Sequence, residues 1–270
     1  MTKIEEAGWK TIKINGDAQE TVPEVIAIEF PLTVMVDGKE FATIVCSPNG
    51  LEDLTIGFLA SEGVIRTADE IKSIQVDTYG GFSHVALHRP LDPSQFDHSS
   101  RFIGSCCGKS RQFYLKSDAR TAKTITTKLD ITVEQCIKLM NRLMDSSPEF
   151  QRTGGVHNAA LATPGELLFT RTDIGRHNAL DKIFGAMLQE KIPAKGKLVV
   201  FSGRVSSEVL LKISKMGIGL IISKSAVTDL AVKLAEDLGI TVIGFARKDR
   251  MNIYTHPERV VDLLPELQTE

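Results

Sequence analysis

The chain has 270 residues, a formal net charge of −2, and 42% hydrophobic and 24% charged residues. This is the composition of a soluble globular protein with ample core, and the near-neutral charge argues against general nucleic-acid affinity. No apolar run reaches the roughly 18 residues of a membrane span or marks a signal peptide, and four scattered cysteines make no secreted disulfide framework, so reduced thiols and a cytoplasmic location are expected.

Residues 1–24 are polar and are predicted to be loosely held, with a short strand at 11–14 before Asn15-Gly16. Strand patterns rich in β-branched residues follow at 25–30, 32–36 and 41–46, and Asp37-Gly38 between the last two signals a tight hairpin. Cys46 closes an apolar run and belongs to the core. After the turn Ser47-Pro48-Asn49-Gly50, residues 51–62 form a helix ending at Gly63, with Leu54, Phe58 and Leu59 on one face. Glu62 fits a solvated or capping charge better than a catalytic acid. Strands at 71–76 and 82–87 are joined across Gly80-Gly81, and 90–103 is a Ser- and Pro-containing linker. Residues 1–103 thus form a small β-rich α+β unit.

The run Gly104-Ser105-Cys106-Cys107-Gly108-Lys109-Ser110-Arg111 has no apolar periodicity and reads as a loop. Its cysteines have small and basic neighbours, and Lys109 and Arg111 favour the nucleophilic thiolate. A disulfide between adjacent residues would be strained, because their Cα atoms lie about 3.8 Å apart against a usual minimum of roughly 4.4 Å. A zinc site would need about four ligands, and no second Cys or His pair lies nearby. A sulfur-transfer nucleophile and an inert surface loop are the readings left.

Residues 104–125 are taken as loop and linker, and 126–270 as an α/β domain. Thr132 caps a helix at 133–144, whose stripe Cys136, Leu139 and Met140 makes Cys136 a core residue. Strands at 159–163 and 167–170 flank the turn Pro164-Gly165. Helices at 178–189, 206–216 and 228–238 then alternate with apolar strands at 198–201, 218–222 and 240–245. Alternation of this kind predicts a mainly parallel sheet with helices on both faces.

Ligands of such sheets bind outside the carboxyl ends of the strands. Three successive ends carry Ser202-Gly203-Arg204, Ser223-Lys224-Ser225 and Phe245-Ala246-Arg247-Lys248-Asp249-Arg250. Ser206 or Ser207 would cap the helix after the first, leaving free N–H groups for an anion. Together these ends predict a phosphate-bearing ligand, although neither a P-loop nor a dinucleotide-binding glycine fingerprint is present. His157, in a glycine-lined segment, fits a proton shuttle or a hydrogen-bonded core histidine equally. Asp173, Arg176, His177 and Asp181 fit a structural polar network at a helix start somewhat better than a chemical role.

The blocks Ser105–Arg111, Gly154-Gly155-Val156-His157-Asn158-Ala159, Asp173-Ile174-Gly175-Arg176-His177-Asn178-Ala179-Leu180-Asp181-Lys182, Ser202-Gly203-Arg204, Phe245-Ala246-Arg247 and Asn252-Ile253-Tyr254 resemble the FdhD-type sulfur carriers, accessory proteins of formate dehydrogenase. The resemblance covers nearly all of the chain beyond residue 25. It implies a C-terminal domain similar to the cytidine deaminase fold, and a homodimer. It also implies that a cysteine desulfurase loads a persulfide on the loop, and that the sulfur passes to the molybdenum of a bis(molybdopterin guanine dinucleotide) cofactor bound as substrate. In its terms Cys107 is the carrier. Cys106 either serves as the second thiol or has no role, because Ser110 stands where many members have the second cysteine of Cys-x-x-Cys. The phosphates of the cofactor would suit Arg204, Lys224, Arg247 and Arg250, with Ser202, Phe245, Ala246, Lys248, Asp249, His157, Arg176 and His177 around them. The zinc signature of the deaminases is missing, which excludes their chemistry and predicts no zinc. A cofactor-binding chaperone that transfers no sulfur is the alternative.

Overall fold

The computed structural model describes residues 8–91, 101–103, 122–126 and 129–263. Strands β1 (Gly8–Asn15) and β2 (Ala18–Val25) pair antiparallel as a separate two-stranded sheet. The strand expected only at 11–14 thus extends over Gly8–Asn15 and gains a partner strand. Thr11, Ile12 and Ile14 favour extended backbone, and Gly16, at φ +59°, closes the hairpin. Nor is 25–30 one strand, because the chain leaves this sheet at Val25 and enters the next at Phe30.

Strands β3 (Phe30–Val36) and β4 (Lys39–Cys46) meet at Asp37-Gly38, whose φ values of 49° and 79° suit a tight hairpin. They join β5 (Ile71–Asp77), β6 (Phe82–Leu87) and β7 (Arg101–Ile103) in a sheet of order β5-β6-β3-β4-β7. Alternation along β3 turns Leu32, Val34 and Val36 inward, where they share a core with Leu54 and Leu59 of helix α1 (Leu51–Ser61).

Helix α2 (Val133–Asp145) begins at a capping box of Thr132 and Gln135. The short helix α3 (Pro148–Thr153), capped by Ser147 and opened by Pro148, was not among the expected elements. After it come β8 (His157–Ala162), β9 (Leu167–Asp173), α4 (Arg176–Gln189), β10 (Leu198–Phe201) and α5 (Ser207–Met216). The described chain closes with β11 (Leu220–Ser223), α6 (Asp229–Leu238), β12 (Thr241–Arg247) and β13 (Arg250–Ile253). The strand order is β13-β12-β11-β10-β8-β9. Only β10–β11 and β11–β12 are parallel, so the sheet is mixed rather than mainly parallel. The hairpin β8–β9 and the return of β13 along β12 add antiparallel edges to a parallel centre.

The α/β class with helices on both faces is as expected. Ala160 and Ala162 of β8 pack with Leu139, Met140 and Leu143 of α2. Ala159 and Leu161, pointing the other way, share a core with Leu180 and Ile183 of α4 and Val209 of α5. That core continues through α1 into the five-stranded sheet, so the helix pair α1–α4 lies between the five-stranded and six-stranded sheets. Cys46 is buried in that core and Cys136 in the one under α2, both as expected, and burial pushes each thiol up to about 12.

Two buried ion pairs fasten α4. Lys182 Nζ lies 2.7 Å from Asp173 Oδ2, with both side chains fully buried. Nζ also donates to Asn49 Oδ1 at 2.9 Å and to the Thr172 carbonyl at 3.0 Å. Asp173 accepts further bonds from the Ser47 N–H at 3.0 Å, the Gly175 N–H at 2.7 Å and Asn178 Nδ2 at 2.9 Å. Asp181, one turn from α4's start, takes both its oxygens to Lys212 Nζ, at 2.6 and 2.8 Å, and accepts from Ser61 Oγ. The structural reading therefore holds for Asp173 and Asp181, whose partners come from α1, α4, α5 and the loop before α1 rather than from Arg176 or His177.

Candidate functional site

Because β10, β11 and β12 run parallel, their carboxyl ends lie together at one end of the sheet. β8 is antiparallel to β10, so its first residues, His157 and Asn158, reach the same end. Pairing of His157 with Asp173 brings β9's last residue and the start of α4 there too. The fold thus assembles His157, Arg176, His177, Ser202, Arg204, Lys224, Phe245, Arg247, Lys248, Asp249 and Arg250 from five separate stretches.

The loops between them are tied to one another. The Lys224 N–H donates to the Phe201 carbonyl at 2.9 Å, Ser223 Oγ to the Gly203 carbonyl at 2.7 Å, and Ser225 Oγ to the Ser202 carbonyl at 2.8 Å. Ser202 Oγ accepts from the Asn158 N–H at 2.8 Å, so this hydroxyl first holds the loop. Arg247 Nε donates to the Lys224 carbonyl at 2.9 Å, which leaves the rest of its exposed fork open. Lys224 sets its ammonium 5.3 Å from the centroid of the Phe150 ring on α3.

Phe245 has φ +51° and sits in a bulge, where the register of β12 against β13 shifts between Gly244 and Arg247. A bulky residue in the left-handed region is strained, and bulges beside sites re-aim a side chain. Here the ring is 36% exposed at the strand end, with the Arg247 guanidinium 5.9 Å from its centroid. Lys248, Asp249 and Arg250 are exposed where the chain turns into β13. Ala246 departs from expectation. Its side chain is fully buried in the core under α2, so only its backbone faces the site.

The His157 pKa is lowered, first by burial and then by the nearby Arg176 guanidinium, which favours neutral imidazole. Arg176 Nε is buried without a hydrogen-bond partner. The start of α5 differs from the expected open anion site. Ser206 is its cap, and Glu208 in its first turn already supplies a carboxylate, 3.4 Å from His177 Nε2. Cys106 and Cys107 lie outside the described residues. Before that loop, β7 pairs with β4; after it, the Lys123 N–H donates to Ser214 Oγ of α5 at 2.7 Å. Among the described residues no group of three or more His, Cys, Asp and Glu could hold a metal ion, and no helix is long and apolar enough to cross a membrane.

Asn158 was not singled out as a site residue. The available signal was one amide heading the otherwise apolar strand Ala159-Ala160-Leu161-Ala162.

Residues 27–261 match the model of the FdhD/NarQ family. The chain belongs to that family. Among its FdhD/NarQ relatives, a protein named sulfur carrier protein FdhD from Geobacillus kaustophilus is 56% identical over 92% of this chain and 94% of its own length. One of the same name from Staphylococcus aureus is 54% identical over 97% of this chain and 99% of its own. A crystal structure described as a "putative formate dehydrogenase accessory protein", from Desulfotalea psychrophila, has a TM-score of 0.77 and 26% identity. It covers 94% of this chain and 98% of that one.

Proposed function

We propose that this chain is a cytoplasmic, homodimeric sulfur carrier that serves formate dehydrogenase. Cys107 thiolate attacks the terminal sulfur of a persulfide on a cysteine desulfurase. A new S–S bond forms on Cys107, and the desulfurase cysteine leaves as thiolate. Lys109 and Arg111 hold Cys107 in the thiolate form, and Cys106 is the thiol beside it. The Cys107 persulfide then passes its outer sulfur to reduced molybdenum of a bis(molybdopterin guanine dinucleotide) substrate: the S–S bond breaks, Cys107 leaves as thiolate, and the metal supplies the two electrons that take the sulfur up as sulfide.

One observation carries the reading of the substrate: Arg176, Arg204, Lys224 and Arg247 stand with Phe245 at the same end of one sheet, in a chain whose relatives are named sulfur carriers. Forked guanidinium groups suit phosphates, and an exposed ring suits a planar base. Lys248, Arg250 and His177 border this surface, while neutral His157 is fit to donate or accept a proton within it.

The test is to incubate the protein with a cysteine desulfurase and cysteine, then weigh the peptide carrying Cys106 and Cys107. A gain of one sulfur, lost in Cys107→Ser and kept in Cys106→Ser, is expected. No added sulfur on a protein that still binds the cofactor would replace the carrier with a binding chaperone.

A further inference from the structure

Asn158 is fully buried, yet neither its Oδ1 nor its Nδ2 has a hydrogen-bond partner. Exchanging the two atoms would not help, since both are orphaned. Its backbone, by contrast, is pinned. The Asn158 N–H donates to Ser202 Oγ at 2.8 Å, and the Ser202 N–H donates to the Asn158 carbonyl at 2.9 Å. Buried amides are nearly always paired, and an orphaned one destabilises the chain that keeps it.

The position suggests what the amide is for. Pairing of β8 with β10 ends at Ala159–Phe201, and pairing of β10 with β11 ends at Phe201–Ser223. One step further, Asn158, Ser202 and Lys224 stand level across three strands at the sheet's end. Alternation along β8 places Asn158 on the same face as Ala160 and Ala162, and along β11 Lys224 follows Ile222 on that face. A buried donor and acceptor side by side therefore share a row with a cation at the proposed site.

We propose that Asn158 reads the ring edge of the bound cofactor. Its Oδ1 accepts from a ring N–H and its Nδ2 donates to the adjacent ring carbonyl. This –NH–C(=O)– edge is common to guanine and to pterin, and both occur in the cargo proposed above, on which this inference rests. A phosphate-bearing ligand gives Lys224 a stronger partner than the Phe150 ring, and binding at this level of the sheet supplies the two bonds that Asn158 lacks.

The experiment follows thermal unfolding of the full chain with and without GDP, and separately with neopterin, for the wild type and Asn158→Leu. Leucine keeps the size and removes the orphaned groups, so the unliganded variant should melt at the wild-type temperature or above it. The ligand-induced shift should disappear for one probe, with affinity reduced about tenfold or more by the loss of two hydrogen bonds. The probe that loses its shift identifies the ring. A shift retained for every probe that the wild type binds would overturn the role of Asn158. A wild type stabilised by neither probe would instead count against the cofactor reading itself. Should the leucine variant not fold, Asn158→Asp keeps the shape without the N–H donor, and unchanged shifts there overturn the proposal equally.

Discussion

Gly57 of α1 and Gly185 of α4 meet where the two helices touch backbone to backbone. A Cβ on Gly57 would run into the Asp181 carbonyl oxygen and come within 2.8 Å of the Gly185 nitrogen, while one on Gly185 would run into the Asp53 carbonyl oxygen. These obstacles are main-chain atoms of packed helices and cannot swing aside. Gly57→Ala or Gly185→Ala is therefore expected to cost about 3 kcal/mol or more, beyond what helix propensity returns. Chemical denaturation followed by circular dichroism measures it, and a variant as stable as wild type would show that the helices separate easily.

The pair Asp173–Lys182 supports a second prediction. Lys182→Met removes the cation and leaves a buried carboxylate that still accepts three hydrogen bonds. A loss of about 3–5 kcal/mol is expected, the usual cost of breaking a buried pair from one side. The double variant Asp173→Asn with Lys182→Met should recover part of it. If the double change costs the sum of the two single changes, the charges are not coupled.

His157 gives a pH dependence. Its folded pKa lies below the ordinary value of 6.5, owing to burial and then to Arg176. Above pH 6.5 the imidazole is neutral in both states and stability is undiminished. As pH falls below 6.5 the unfolded chain takes up the proton first, and stability declines until pH passes the lowered folded pKa. Melting temperatures between pH 7.5 and 5.5 should therefore fall more steeply for wild type than for His157→Gln. Parallel curves would refute the assignment.

Phe245 at φ +51° connects strain to binding. Phe245→Gly relieves the left-handed backbone but adds freedom to the unfolded chain, so stability should change by under about 1 kcal/mol. Loss of the ring should weaken GDP binding about tenfold, the scale of a lost base–aromatic stack. Calorimetric titration that finds equal affinities would remove Phe245 from the site.

Much of the fold is legible locally. The hairpin at Asp37-Gly38, the caps at Thr132 and Ser206, and the helix ends at Gly217 and Gly239 each depend on atoms within a few residues. The strand ends bearing Arg204, Lys224 and Arg247 were legible for the same reason, since apolar runs stop where charged residues begin. Helix α3 was missed because six residues carry too little periodicity, and the antiparallel return of β13 because the short run Arg250–Ile253 shows its pairing only against β12.

By itself the sequence determined the element types, the α/β class, the family and the basic character of the strand ends, because these follow from short-range backbone chemistry and side-chain identity. Only the tertiary structure decided that Asp173 is held by Ser47 from 126 residues away, that Gly57 lies against Gly185, and that Asn158 is buried with nothing to bond. Such relations arise when distant segments close on one core, and no local pattern in the chain encodes which segments those will be.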